Sequence, residues 1–282
     1  MKNMKKILTI TLMVLISHFA FAQAANNEPG NFRFGLKITP SVNWFKPDGK
    51  IIAPNGAAMK FGGGLTLEYQ MAKVVSFQTG LQIDMGGGKV KYNNGENLST
   101  PNSNSVNYFY NVQDDNIPKY DSTLSPASNN HYQLNSRSYN ITYLTIPICF
   151  KMKTKEIGNF IYFGQFGINN SFRWKASAND EVQQITASGL GAVETKSKID
   201  VTNDVSFYTA SLNIGLGTEM NLSGTTSLTF GLNYLSGFTN VVKNNSEYLG
   251  RKANDANGHA TFTSMPQQIK SNAIVLTIGI LF

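Results

Sequence analysis

The last twelve residues, 271–282, alternate between two kinds of side chain. Asn272, Ile274, Leu276, Ile278, Ile280 and Phe282 form a bulky, mostly apolar set; Ser271, Ala273, Val275, Thr277 and Gly279 form a small or polar one. A period of two is the signature of a strand whose faces meet different environments. Such a strand at the chain's end leaves a row of unpaired backbone groups unless something covers it. The pattern therefore predicts that it pairs with the first strand and closes a barrel.

Seven earlier segments repeat the design. Over 31–45, Phe32, Phe34, Leu36, Ile38, Val42 and Trp44 oppose Arg33, Gly35, Lys37, Thr39, Ser41 and Asn43. The same alternation predicts strands over 59–71, 75–86, 159–175, 208–220 and 228–238. The remaining segment, 139–152, is less regular. Tyr139, Ile141 and Tyr143 share one parity, while Leu144, Ile146, Ile148, Phe150 and Met152 take the other. That change of phase predicts a bulge between Tyr143 and Leu144. Pro147 in the same segment lacks a ladder donor.

Two regularities set the class. The apolar faces of all eight segments carry no Lys, Arg, Asp or Glu. A cation on a lipid-facing position near the bilayer midplane costs roughly 2–4 kcal/mol, so hydrocarbon selects for that absence. A soluble barrel would place its charges outside. The connections also alternate in length. Those after the second, fourth and sixth segments are short (72–73, 154–158 and 223–225), and the others are long (46–58, 93–138, 176–204 and 242–268). Tight periplasmic turns and long outer loops have this rhythm. The expected fold is all-β: an eight-stranded antiparallel up-and-down transmembrane β-barrel. Val106, Tyr108, Tyr110 and Val112 alternate within the second long loop and predict a hairpin rising above the membrane.

Composition agrees. Charged residues make up 15% of the chain, against roughly 25% in soluble domains. Residues 1–22 read as a secretory leader: Lys2, Lys5 and Lys6 precede an apolar core, and Ala20-Phe21-Ala22 offers a cleavage site after Ala22. Its removal takes three lysines and no acids from a net charge of +7, leaving about +4, which gives no argument for nucleic acid as a partner. Residues 23–30 read as a polar linker and 31–282 as the barrel domain. The single cysteine, Cys149, has no partner for a disulfide and reads as a small packing residue.

The run Tyr143-Leu-Thr-Ile-Pro147-Ile148 resembles the fourth-strand signature of the PorT-like outer-membrane β-barrel family of Gram-negative bacteria. Gly215-Leu-Gly217-Thr-Glu219 and Tyr234-Leu-Ser-Gly237-Phe238-Thr-Asn240 are similar to its sixth and seventh strands. Ile278-Gly279-Ile280-Leu281-Phe282 resembles its last strand, with Phe282 matching the terminal aromatic signal read by barrel-assembly machinery. The resemblance implies an outer-membrane location, contact with outer-membrane lipid and a tolerated proline at 147. It also implies a possible place in an envelope complex, because the family's founding member is implicated in type IX secretion and gliding.

Candidate chemistry is sparse. His18 lies in the leader, while His131 and His259 lie in outer loops, and no spacing suggests a metal or cofactor. His131 with Asp114, Asp115, Asp121 or Ser122 could form a hydrolytic group at the rim. Gly62-Gly63-Gly64 and Gly86-Gly87-Gly88 do not open helices and read as kinks and close contacts in the wall. Parity and depth place Arg33, Lys37, Glu68, Lys151 and Glu219 in the lower lumen, where opposite charges can pair across the bore. An eight-stranded bore is just wide enough for side chains to fill, so this cluster is expected to plug it. The expected function is that of a non-enzymatic envelope protein, an accessory to a secretion or assembly machine or a loop-mediated binder. A small-solute channel and a rim hydrolase are the alternatives.

Overall fold

The computed structural model describes residues 32–93, 105–119, 131–186, 188–254 and 260–282. The leader, the linker, Asp121, Ser122 and His259 lie outside them. The strands are β1 (Phe32–Ile38), β2 (Ser41–Pro47), β3 (Ile52–Pro54), β4 (Ala57–Lys60), β5 (Gly62–Ala72), β6 (Val75–Gly86), β7 (Lys89–Tyr92) and β8 (Val106–Phe109). There follow β9 (His131–Lys153), β10 (Phe160–Thr186), β11 (Gly189–Asp200), β12 (Tyr208–Ser223), β13 (Thr226–Gly237), β14 (Asn245–Asn254), β15 (Ala260–Pro266) and β16 (Ile269–Leu281).

The wall is an antiparallel ring in the order β1, β5, β6, β9, β10, β12, β13 and β16. β16 returns to β1, with Gly35 opposite Leu281 and Ile38 opposite Ile278. The last strand therefore covers the first, and the ring has no free edge at that seam. Bulky residues of the eight segments stand outside: Leu36, Leu65, Phe166, Leu216, Leu232 and Ile274 are each about half exposed. This outer apolar band is the membrane-spanning surface.

The first segment is two strands, not one. Pro40 lacks an N–H and divides β1 from β2, while its partner β16 runs on unbroken. The break is bridged by backbone: Leu276 donates to the Pro40 carbonyl at 2.9 Å, and Thr39 and Gly62 exchange bonds at 2.8 and 3.1 Å. Pro147 leaves a similar mark. The ladder between β6 and β9 runs from Val75↔Met152 to Thr79↔Ile148 and resumes at Gln82↔Thr145, omitting the step around Pro147.

Four long connections build a second layer above the band. The upper parts of β9 and β10 continue the wall and carry β7, β8 and β11 beside them, with β14 and β15 beyond β8. The main apolar core lies here, among residues such as Phe45, Tyr108, Leu134, Tyr139, Val182 and Leu249. The stretch from Val106 to Tyr110 is buried on both parities, whereas Val112 is exposed, so the burial does not follow the alternation. Nor does the stretch form a hairpin of its own; β8 pairs with β9 and β14.

The bulge expected between Tyr143 and Leu144 is absent. Along β9, residues 137, 139, 141, 143, 145, 147, 149 and 151 are all buried, one unbroken inward parity. What changes is chemistry. Above, Tyr139, Ile141 and Tyr143 point into the core of the loop layer; below, Thr145, Cys149 and Lys151 point into the bore. The outward set switches in the opposite sense, from Ser136, Ser138, Asn140 and Thr142 to Leu144, Ile146, Ile148 and Phe150. The bulge at this level lies in β10: Arg173 pairs with Tyr143 but Lys175 pairs with Thr142, leaving Trp174 as the extra residue. Trp174 is 69% exposed and marks the height at which the wall leaves the apolar band. Gly87 helps β6 to leave there too: its φ is +124°, and a Cβ on Gly88 would meet the Phe45 ring at 2.9 Å.

Arg137 and Asp180 lie opposite each other on β9 and β10 inside the loop layer. Nε and Nη2 each donate to one carboxylate oxygen at 2.7 Å, with both side chains fully buried. Burial is the largest single influence and opposes the guanidinium charge, but Asp180 together with Tyr139 and Tyr92 holds Arg137 above its ordinary pKa. Asp204 is a second polar junction, receiving the Ser246 hydroxyl at 2.5 Å and the Glu247 N–H at 3.3 Å. It ties the connection before β12 to the start of β14.

Removing one member of a buried pair leaves the other charge uncompensated, at a cost of about 3–5 kcal/mol. Asp180→Ala should make the loop layer sensitive to limited proteolysis while the barrel keeps its heat-dependent migration on SDS gels. Arg137→Met combined with Asp180→Leu should recover much of the resistance. Unchanged digestion of Asp180→Ala would show that the pair does not hold the layer together.

Candidate functional site

The lower bore gathers five charged side chains from four strands. Arg33 on β1 and Glu68 on β5 are direct cross-strand partners; Lys151 and Lys153 come from β9 and Glu219 from β12. Arg33 Nη1 lies 2.8 Å from Glu219 and 3.7 Å from Glu68. Lys151 Nζ lies 3.1 Å from Glu68 and also bonds Glu219. Lys153 bonds Glu68 and stands 3.2 Å from Glu219. The Arg33 guanidinium also donates to Ser227, and Lys151 Nζ sits 4.1 Å from the centre of the Phe163 ring.

Each carboxylate thus bridges three cations. Lys151, Glu68 and Glu219 are almost wholly buried, and the arrangement supplies the several partners that charges need once removed from water. Of the five lumenal residues singled out from the sequence, the structure brings together Arg33, Glu68, Lys151 and Glu219. It leaves Lys37 higher in the bore, where no carboxylate of the described residues lies within 4.0 Å. Lys153 was missed because the fourth strand was ended at Met152. Its inward parity with Lys151 was the available signal.

Above the cluster is a chamber of about 110 Å³. Lys37 and Asp84 contribute its charges, and most of the other lining residues carry an amide or a hydroxyl, interspersed with apolar ones such as Leu235 and Val275. Gln165 donates to Asn233 at 2.5 Å and Asn233 to Thr277 at 2.9 Å. Asn213 donates to Asn169 at 3.1 Å, and Gln82 to Asp84 at 2.6 Å. Cys149 is part of this wall, with its sulfur 3.7 Å from the Asn213 amide nitrogen. It faces a polar bore and not an apolar core, which strand parity alone could have indicated.

The remaining candidates lie in the loop layer. His131 is buried, its ring stacked on Phe109 with centroids 4.9 Å apart. Asp115 receives the Tyr110 hydroxyl and Asp114 the Asn111 amide at 2.6 Å, so both carboxylates serve their own turn. Among the described residues no three His, Cys, Asp or Glu side chains are grouped to hold a metal ion. Phe282 is half exposed at the seam, donating its N–H to the Phe34 carbonyl at 2.7 Å and accepting from the Phe34 N–H at 3.3 Å.

Several solved structures are similar in outline. Neisserial surface protein A shares 8% identity, with 88% of this chain and 95% of that one covered and a TM-score of 0.36. The outer membrane protein OprG from Pseudomonas aeruginosa shares 11%, with 90% and 96% covered and a TM-score of 0.39. Ail, the attachment invasion locus protein of Yersinia pestis, shares 10%, with 89% and 98% covered and a TM-score of 0.33. Likenesses this distant say nothing about function. No curated protein matches the chain. The family model described as "outer membrane protein beta-barrel domain" matches residues 21–243, most of the chain. With its closed antiparallel ring and outer apolar band, this protein belongs to the outer-membrane β-barrel domain family.

Proposed function

We propose that this protein is a non-enzymatic, closed barrel whose loop layer is its working surface, serving as an accessory in an envelope secretion or assembly machine. The observation that carries the reading is the loop layer itself. Its strands extend the wall, enclose an apolar core and are braced by Arg137–Asp180. Such a layer presents a fixed surface, and little ordering entropy is lost when a partner docks on it. The resemblance to the PorT-like family suggests the class of machine, type IX secretion among them. On this reading the chain is exported with cleavage after Ala22, and Phe282 is read by the barrel-assembly machinery. Outer-membrane lipid then surrounds the apolar band, and nucleic acid and cofactors have no part.

The ion cluster supports the closed half of the reading. Arg33, Glu68, Lys151, Lys153 and Glu219 fill the lower bore with groups bonded to one another. The chamber above them favours a small-solute channel, which would have to open through this floor.

Planar-bilayer recordings of the refolded barrel should show no steady conductance. Glu68→Gln with Glu219→Gln leaves three cations without counter-charges and should produce frequent openings. Steady openings of the unaltered protein would favour the channel. Chemical crosslinking in native membranes should capture an envelope protein through the loop layer, and Asp180→Ala should reduce that capture several-fold. A barrel recovered alone from crosslinked membranes would remove the accessory reading.

A further inference from the structure

One pairing in the wall sets two like charges side by side. Lys46 on β2 and Lys270 on β16 are direct cross-strand partners. Their neighbours Phe45 and Ile269 are buried in the core of the loop layer, so strand parity turns both lysines outward. Residues opposed in this way have Cβ atoms about 4.5–5.5 Å apart, and like charges so placed repel. No carboxylate of the described residues neutralises the two. The ion pairs of the described outer surface are Lys119–Glu247, Lys243–Glu247 and Lys196–Glu194. Asp48, exposed two residues beyond Lys46, is in none of them. Two adjacent cations without a counter-charge call for an anion from outside the chain.

Their height narrows the kind of anion. Trp44 and Asn272 are the next outward partners below them, and Val42 and Ile274, exposed in the apolar band, are the next again. The Trp44 and Tyr234 rings lie 6.3 Å apart, centre to centre, so aromatic rings border the band just beneath the lysines. Lys175 holds the corresponding place on β10, next to the exposed Trp174. Lipid headgroups begin where the hydrocarbon ends. The lysine stems can lie along the aromatic border while their ammonium groups reach that level. A phosphate carried by a lipid is held there by its own chains, at a local concentration that a free phosphate lacks.

We propose that Lys46 and Lys270 together bind the phosphate of an anionic lipid in the leaflet beside the loop layer, with Trp44 packed against the upper part of its chains. Each ammonium is a compact charge that donates hydrogen bonds, and a phosphate between the two turns their repulsion into a shared attraction. The inference rests on the placement of the apolar band in lipid and is independent of the accessory role.

The test uses the full mature barrel with Trp174→Phe, which leaves Trp44 as its one tryptophan, reconstituted in phosphatidylcholine vesicles. Lipids brominated near the headgroup quench Trp44 when they occupy the site. Brominated phosphatidic acid should quench at a mole fraction roughly twentyfold lower than brominated phosphatidylcholine, about fivefold for each lysine. Lys46→Gln and Lys270→Gln should each remove about fivefold of that preference, and the double variant should abolish it. Lys73→Gln, in the turn between β5 and β6, should leave it unchanged. Lys46→Glu should lose the preference yet unfold at no lower temperature, because it sets opposite charges face to face. Heat-dependent gel migration reads folding and insertion of every variant. Failure of the parent barrel to insert into phosphatidylcholine would overturn the band's placement in lipid and this proposal with it. With insertion intact, three results overturn the proposal alone. These are equal quenching by the two lipids, a preference that survives the double substitution, or its loss to inorganic phosphate at an ionic strength matched with sodium chloride, which would make the pair a site for free phosphate.

Discussion

A change of solvent partway up the wall governs this molecule. Where hydrocarbon surrounds the ring, backbone groups must be paired and the outside must be apolar, so polar residues collect within. Where water surrounds it, the outside can be polar and the inside must supply a hydrophobic core. Every strand that crosses the boundary has to exchange its two faces there. β9 does so with no change of geometry, between Tyr143 and Thr145. β10 does so with an extra residue, Trp174, which keeps its small inward residues Ala176 and Ala178 against the layer's core.

The two interiors use charge differently as a result. Among the described residues of the loop layer one bidentate pair, Arg137–Asp180, is set among buried aromatic rings, with Arg137 5.7 Å from the Tyr139 ring centre. In the bore, cations and carboxylates are shared among several partners, and amide chains continue upward from them. A lone ion pair suits a core built mainly of aliphatic and aromatic side chains. A shared network suits a bore whose other residues also need hydrogen bonds, because each added partner offsets part of the desolvation cost.

Most of the barrel was legible in the sequence because alternation is strong wherever one face meets lipid. Arg33, Glu68, Lys151 and Glu219 were legible for the same reason, since charge on the inward parity has few places to go. Other features were hidden where period-two reasoning assumes one environment per face. The parity change at Tyr143 looked like a bulge, while the true bulge at Trp174 was concealed by an apolar residue on the expected face. The alternation over 31–45 predicts one strand; the missing donor of Pro40 was the signal for its division, while the bridging by Leu276 is a tertiary matter. That Lys37 stands apart from the cluster depends on heights in the bore, which no local pattern encodes.

The uninterrupted length of β9 has a mechanical consequence. Arg137, in the outer layer, and Lys151, in the floor of the bore, belong to one strand, separated by roughly 3.3 Å of rise for each residue between them. A load placed on the exterior layer therefore enters a continuous ribbon laced to β10 along nearly its whole span. No pliable linker stands between them to absorb the force. Rim and base are stiffly joined, and a tug on one is borne by the other as shear.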